Sequence, residues 1–218
     1  MNKRILYEMP EKREQCVKHF RMADKSMVAA VYPSPVHYKE NEEWKTIDNR
    51  LDEVEKDGKK VYQNHASAVK VSFAETVGEG NLVTVEKEEM KLAWNLERTE
   101  EKGDAQIVNS EIDREREAAV QKAGNRRRFR VVPKQESDDK SSLEETEFRQ
   151  KTKVQNWSSE GFYDEILPGV DLQYVIQGER IKENIHLNTR EAAQQPLVFH
   201  FTHPGMVMRK EADGGLGL

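Results

Sequence analysis

The sequence predicts a mainly β protein: an antiparallel, sandwich-like fold in which two β-rich halves flank a charged insert. Three observations support this. Apolar residues recur at every second position in short runs, turn dipeptides separate the runs at roughly ten-residue intervals, and no long amphipathic helical pattern lies between them. The clearest run is Gly161 to Leu187. Alternation places Val170, Leu172, Tyr174 and Ile176 on one face of a strand, and Ile181, Ile185 and Leu187 on one face of the next. Gln177-Gly178-Glu179 joins the two as a hairpin, and Pro168-Gly169 turns the chain into it.

The chain has 218 residues, of which 34% are charged and 36% hydrophobic. That apolar share is low for a packed domain, so part of the chain is expected to lie outside any core. Lys plus Arg number 35 against 40 Asp plus Glu, and a net charge of -5 gives no overall attraction for nucleic acid or an anionic membrane surface. The single cysteine, Cys16, excludes an internal disulfide. No run is long and apolar enough to read as a membrane span. Lys3 and Arg4 are followed only by Ile5-Leu6 before charge resumes, so no signal peptide is legible. The chain is therefore expected either to be cytosolic or to begin downstream of an export signal.

The chain divides into four stretches. Residues 1–26 read as a polar lead-in, in which Cys16, Val17 and Phe20 at helical spacing suggest a short helix within Glu11 to Met22. Residues 27–110 form the first β-rich half. Its strands are Val28 to Tyr32, a hairpin of Val36 to Lys39 with Trp44 to Asn49, then Ala68 to Phe73, Leu82 to Glu86 and Met90 to Leu96, and Asp57-Gly58 marks a turn. Residues 111–151 are the insert, partly helical or disordered, with a solvated helix at Glu111 to Ala123 and a mobile loop at Lys134 to Ser142. Residues 152–218 form the second half, which regains the sheet pattern at Lys153 to Trp157, contains the opening hairpin and adds a strand at Leu197 to Phe201. Pro204-Gly205 would turn the chain into a return strand at Met206 to Lys210, and the glycine-rich end then suggests a truncated chain or fragment. The expected core is Trp44, Val71, Phe73, Leu82, Trp94, Leu172, Tyr174, Ile185 and Phe199.

Candidate chemistry is sparse. Cys16 and His19 would share a helical face as a nucleophile and base, yet no oxyanion turn or orienting acid accompanies them, so a packed thiol beside a surface histidine is the simpler reading. His200 and His203 could ligate a metal only if the strand bends before Pro204, since an odd offset sends them to opposite faces. Asp164, Glu165 and Asp171 flank the Pro168-Gly169 turn and offer Ca²⁺ oxygen ligands, but their spacing fits no EF-hand loop, and capping of backbone N–H groups is the alternative. Asp48-Asn49 invites the same explanation. Arg126 to Arg130, with Phe129 interleaved, could contact RNA, but acidic residues surround it and no stacking platform accompanies it, so a solvated linker or protease-sensitive site is the simpler reading and no nucleic-acid partner is expected. Trp44, Trp94, Trp157, Tyr38 and Tyr174 could stack on sugars, though most fall in register with apolar neighbours, as core residues would. No phosphate-binding glycine loop is present and no cofactor is implied.

Two stretches carry a resemblance. The first is Val17-Lys18-His19-Phe20, then Tyr32-Pro33-Ser34-Pro35-Val36-His37-Tyr38, Trp44 and Ile47 to Leu51; the second is Tyr163-Asp164, Pro168 to Tyr174 and Ile181 to Ile185. In order and spacing this resembles the N-terminal β-rich region of bacterial secreted RHS (YD-repeat) proteins of the wall-associated and polymorphic-toxin type. The resemblance implies a non-enzymatic structural module preceding a repeat shell, secreted or at the cell surface. Downstream RHS-type repeats would be its partner, with the cell envelope or a glycan as further candidates. Any enzymatic activity would lie in a C-terminal toxin domain. The chain departs from the family pattern in lacking an export signal and YD-type repeats, and in its insert. The alternative function is a carbohydrate-binding or adhesive surface module.

Overall fold

The computed structural model describes residues 4–78, 80–97, 129–132, 143–205, 207, 209–210 and 216–217, with 129–132, 143–147 and 216–217 described by their backbone alone. The proposed helix at Glu111 to Ala123, the loop at Lys134 to Ser142 and most of the Arg126 to Arg130 tract lie outside these residues.

The protein is mainly β, and its sheets are antiparallel. Three short strands come first: β1 (Ile5–Glu8), β2 (Val17–Met22) and β3 (Met27–Val31), paired in that order. The helix expected within Glu11 to Met22 is overturned, because β2 is extended and only Pro10–Lys12 makes a 3₁₀ turn. Period 2 governs here: Lys18, Phe20 and Met22 point inward, and Phe20 and Met22 join Ile5 in a small core. The apparent helical spacing of Val17 and Phe20 paired residues from opposite faces of a strand. Hairpin β4 (His37–Glu40) and β5 (Glu43–Thr46) follows as expected, its two-residue loop Asn41-Glu42 held at positive φ.

A long hairpin, β6 (Asp48–Lys56) and β7 (Lys59–Ala66), turns at Asp57-Gly58, where both residues adopt positive φ as a type I′ turn requires. Strands β8 (Lys70–Ala74), β9 (Val83–Lys87) and β10 (Met90–Leu96) extend the sheet. The second sheet contains β11 (Phe129–Val132), β12 (Ser158–Leu167), β13 (Val170–Gln177) and β14 (Arg180–Leu187) in sequence order. Residues 111–151 therefore contribute a strand to this sheet and most of helix α1 (Leu143–Thr152). The end of α1 is tied to the small N-terminal sheet: Lys151 Nζ donates to the Ile5 carbonyl at 2.9 Å, and the Tyr32 hydroxyl donates to the Thr152 carbonyl. Residues 153–157 lie outside any strand, because the sheet resumes only at Ser158.

Strand β15 (Phe199–Thr202) does not begin a C-terminal hairpin. It pairs with β10, completing a six-stranded sheet of order β15-β10-β9-β8-β7-β6. The return strand expected after Pro204-Gly205 is corrected accordingly: β16 (Arg209–Lys210) pairs with β17 (Leu216–Gly217) instead.

One apolar core spans both sheets. Val71, Phe73, Leu82, Val83, Trp94 and Leu96 from the six-stranded sheet and its loops pack with Tyr163, Val170, Leu172, Tyr174 and Ile176 from the four-stranded one. The Tyr174 ring sits 5.1 Å from Phe73 and edge-on to Tyr163 at 6.1 Å. Tyr163, fully buried, keeps its hydroxyl satisfied by donating toward the carbonyls of Ala74 at 2.6 Å and Leu82 at 3.2 Å across the sheets. Among the expected core residues Val71, Phe73, Leu82, Trp94, Leu172 and Tyr174 are buried, and Phe199 packs partly buried at the margin. Trp44 is half-buried, with the Lys39 ammonium 5.4 Å over its ring. Ile185 is the clear departure at 42% exposed.

Candidate interaction surface

Three polar clusters and one uncovered apolar margin stand out. The deepest cluster joins the sheets. Asn49, at the start of β6, is fully buried; its Nδ2 donates to the carbonyls of Trp157 at 2.8 Å and Gly178 at 2.9 Å, while its Oδ1 accepts from Asn64 Nδ2 at 3.1 Å. Asn64 in turn donates to the Val69 carbonyl at 2.9 Å and accepts from the Val71 N–H at 2.9 Å. Both hydrogens and the carbonyl oxygen of each amide are therefore used, as burial requires. Gly178 begins the β13–β14 loop at φ +61 with the Trp157 ring over it, 3.2 Å from where a Cβ would stand. The Trp157 Nε1–H donates to the Pro35 carbonyl at 2.9 Å.

A second cluster lies beside the small sheet. Arg13 Nε is 2.7 Å from Glu8 Oε1, Lys18 Nζ is 3.5 Å from Glu8 Oε2, and the buried His37 ring places Nε2 3.8 Å from Glu8 Oε1. That last separation exceeds a hydrogen bond, so the ring lowers the Glu8 carboxyl only as a protonated, positively charged imidazolium, while its Nδ1–H donates to the Glu14 carbonyl at 2.7 Å. The imidazolium, then Arg13 and Lys18, outweigh partial burial and hold the Glu8 carboxyl down to about 2. A lowered acid stabilises the fold above its ordinary range, here 4.5, and that contribution disappears as pH falls through 2. We expect Glu8→Gln to cost about 1–2 kcal/mol at pH 6 after allowing for solvent screening. In urea melts the difference from wild type should vanish near the acid limit; a constant difference across pH would contradict the assignment.

The third cluster is on the inner face of β14. Tyr174 lies directly opposite Glu183 and donates its hydroxyl to that carboxylate. Burial raises the Glu183 carboxyl despite this hydrogen bond, and burial likewise raises the Tyr174 phenol. The Trp94 indole lies against the pair, but its N–H has no acceptor within hydrogen-bond distance.

The apolar margin runs beside this cluster. Ile185 and Leu187 oppose Leu172 and Val170, so they share the core-facing side of the sheet, yet they are 42% and 49% exposed. On the other sheet Phe199 and Phe201 oppose the buried Leu96 and Trp94, and Phe201 is 46% exposed, with its ring 5.8 Å from Trp94. Trp94 touches both edges, so the open margins of β14 and β15 lie on the same side of the sandwich. Among the described residues no element covers the core along that side, while β6 contacts β12 elsewhere.

The proposed chemistry does not assemble. The Asp171 carboxylate accepts from the Glu165 N–H at 2.7 Å and from Asn188 at 2.8 Å, which holds the irregularity between Tyr163 and Leu167 where Glu165 takes φ +50. No group of three or more His, Cys, Asp or Glu able to hold a metal occurs among the described residues, so Asp164, Glu165 and Asp171 form no such set. Asp48 caps the Arg50 N–H at 2.9 Å. His200 faces Glu97 at 3.0 Å on an exposed strand. Cys16 precedes β2 in a turn, and His19 Nδ1–H donates to the Lys12 carbonyl at 2.6 Å, so the face expected of a helix does not form. Tyr38, Trp94 and Tyr174 are buried, while Trp44 and Trp157 are both half-buried, Trp157 with its Nε1–H bound to the Pro35 carbonyl. A shallow cleft of about 550 Å³ lies between the β4–β5 hairpin and the β9–β10 turn, lined by Lys39, Lys70, Lys91 and Glu40, Glu86, Glu88 among others. Its charges are mixed and largely matched, with Glu86 bridged to Lys91 at 3.0 Å and Lys56 at 3.2 Å.

No helix is long and apolar enough to cross a membrane among the described residues. No family model, no curated protein and no solved structure matches this chain.

Proposed function

We propose that this chain is a non-catalytic β module whose uncovered side packs against further polypeptide, in the manner of the leader region of an exported RHS-repeat protein. The observation that carries this reading is the open margin: Ile185, Leu187 and Phe201 face the core side of their sheets and are left to water. Exposed contiguous apolar surface of this kind marks an interaction site. The asparagine pair is buried with every amide group used, and the other two clusters hold strands together through Glu8 and Glu183, which suits a scaffold better than an enzyme. The family likeness supplies the identity of the partner, RHS-type repeats, and the motif residues Asn49, Tyr163, Leu172 and Tyr174 serve the shared core or its tie. For a glycan-binding role only Trp44 and Trp157 of the five aromatics are half-buried, which lends it less support than the apolar margin lends a polypeptide partner.

The test is isothermal titration of the protein with the polypeptide encoded immediately downstream. Binding is expected, and Ile185→Glu with Phe201→Glu should weaken it at least about tenfold with the melting temperature preserved, because both side chains are already exposed. Binding indifferent to both substitutions, or no binding together with retention on a glycan array, would refute the reading.

A further inference from the structure

From the charge beside the open edge we infer that its occupant is an extended strand alternating apolar residues with carboxylates, added antiparallel to β14. This rests on the reading of the open side as an interaction surface and specifies what fits it. The backbone of β14 is ready for such an addition. Gln177 and Arg180 flank a two-residue loop, and the Asn188 N–H donates to the Gly169 carbonyl, so the even-numbered residues of β14 bond to β13. The N–H and C=O groups of Ile181, Glu183, Ile185 and Leu187 consequently point away from the sheet, and no described strand pairs with them. The same four side chains face the core side, so a strand placed there would continue the inner face with its own apolar residues.

The outer face of β14 selects the rest. It carries Arg180 and Lys182, both exposed, and neither forms an ion pair or side-chain hydrogen bond among the described residues. Asn184 and His186 complete that face and are held by Gln173. The nearby carboxylates are committed: Asp171 to the Glu165 N–H and Asn188, Glu160 to Gln173, and Glu183 to Tyr174 on the inner face. An incoming strand with Glu or Asp opposite Arg180 and Lys182 gains cross-strand pairs. A second copy of β14 would instead set Lys182 against Arg180, Lys182, Asn184 or His186, depending on register, with no acid on that face in any of them, so edge lysine disfavours self-pairing.

The experiment titrates the full chain, labelled for amide NMR, with two capped eight-residue peptides, one alternating Val with Glu and the other Val with Lys. The Val–Glu peptide is expected to perturb and protect the amides of Ile181, Glu183, Ile185 and Leu187 and to bind roughly tenfold more tightly than the Val–Lys peptide. Arg180→Glu with Lys182→Glu should reverse the preference while leaving the spectrum of the core unchanged. Equal binding of both peptides, binding of neither, or protection of these amides by self-association with rising concentration would each overturn the inference. If neither peptide binds while the downstream polypeptide still does, through Ile185 and Phe201, the strand inference fails and the module reading stands.

Discussion

Leu172→Asp is expected to abolish the cooperative unfolding transition of the whole sandwich. Leu172 has no exposed surface and stands between Tyr163 and Ile185 on its neighbouring strands, within the cluster shared by both sheets. An aspartate there has no cation within the apolar cluster, so it must either remain charged in a low-dielectric core or take up a proton, and the cost exceeds several kcal/mol by either route. Total stability for a domain is only about 5–15 kcal/mol. Leu172→Ala removes packing without adding charge and should cost about 2–5 kcal/mol, leaving a shifted but still cooperative melt. Near-UV circular dichroism during heating distinguishes the two. A Leu172→Asp protein melting cooperatively within a few degrees of wild type would show that the sheets do not share this core.

Asn49→Ala should cost about 3–5 kcal/mol although it removes no apolar contact of note. It leaves the Gly178 carbonyl and one Nδ2 hydrogen of Asn64 without partners and removes one of the two hydrogen bonds at the Trp157 carbonyl, which keeps the Gly178 N–H at 3.0 Å. Asn64→Ala strands the Val71 N–H and the Asn49 Oδ1 in the same way. Because the two amides form one network, the double variant should lose clearly less than the sum of the single variants in urea melts. Additive losses would mean that the asparagines act separately and that the amide pair does not tie the sheets together.

The sequence was most legible where the sheet has one wet and one dry face. Val170, Leu172, Tyr174 and Ile176 alternate with polar residues because β13 is covered on one side only, and all four are buried as the pattern implied. Strands β6 and β7 were legible only through their Asp57-Gly58 turn, since charged and polar residues occupy most of their positions. In β2 the pattern failed because Lys18 takes an inward position, its charge matched by Glu8 from β1. Ile185 shows a different limit: register dictated correctly which way it points, but coverage depends on the opposite sheet, whose extent no local pattern encodes. The Asn49–Asn64 tie was illegible for a related reason. A buried asparagine reads as a turn residue until its partners, 129 residues away in the case of Gly178, are brought to it.

Amide hydrogen exchange along β14 in the protein alone tests the account most directly. With the edge uncovered, Ile181, Glu183, Ile185 and Leu187 should exchange fast and Lys182, Asn184 and His186 slowly, in strict alternation. Uniform protection along the strand would show that something already covers this side and would contradict the open margin from which the function is argued.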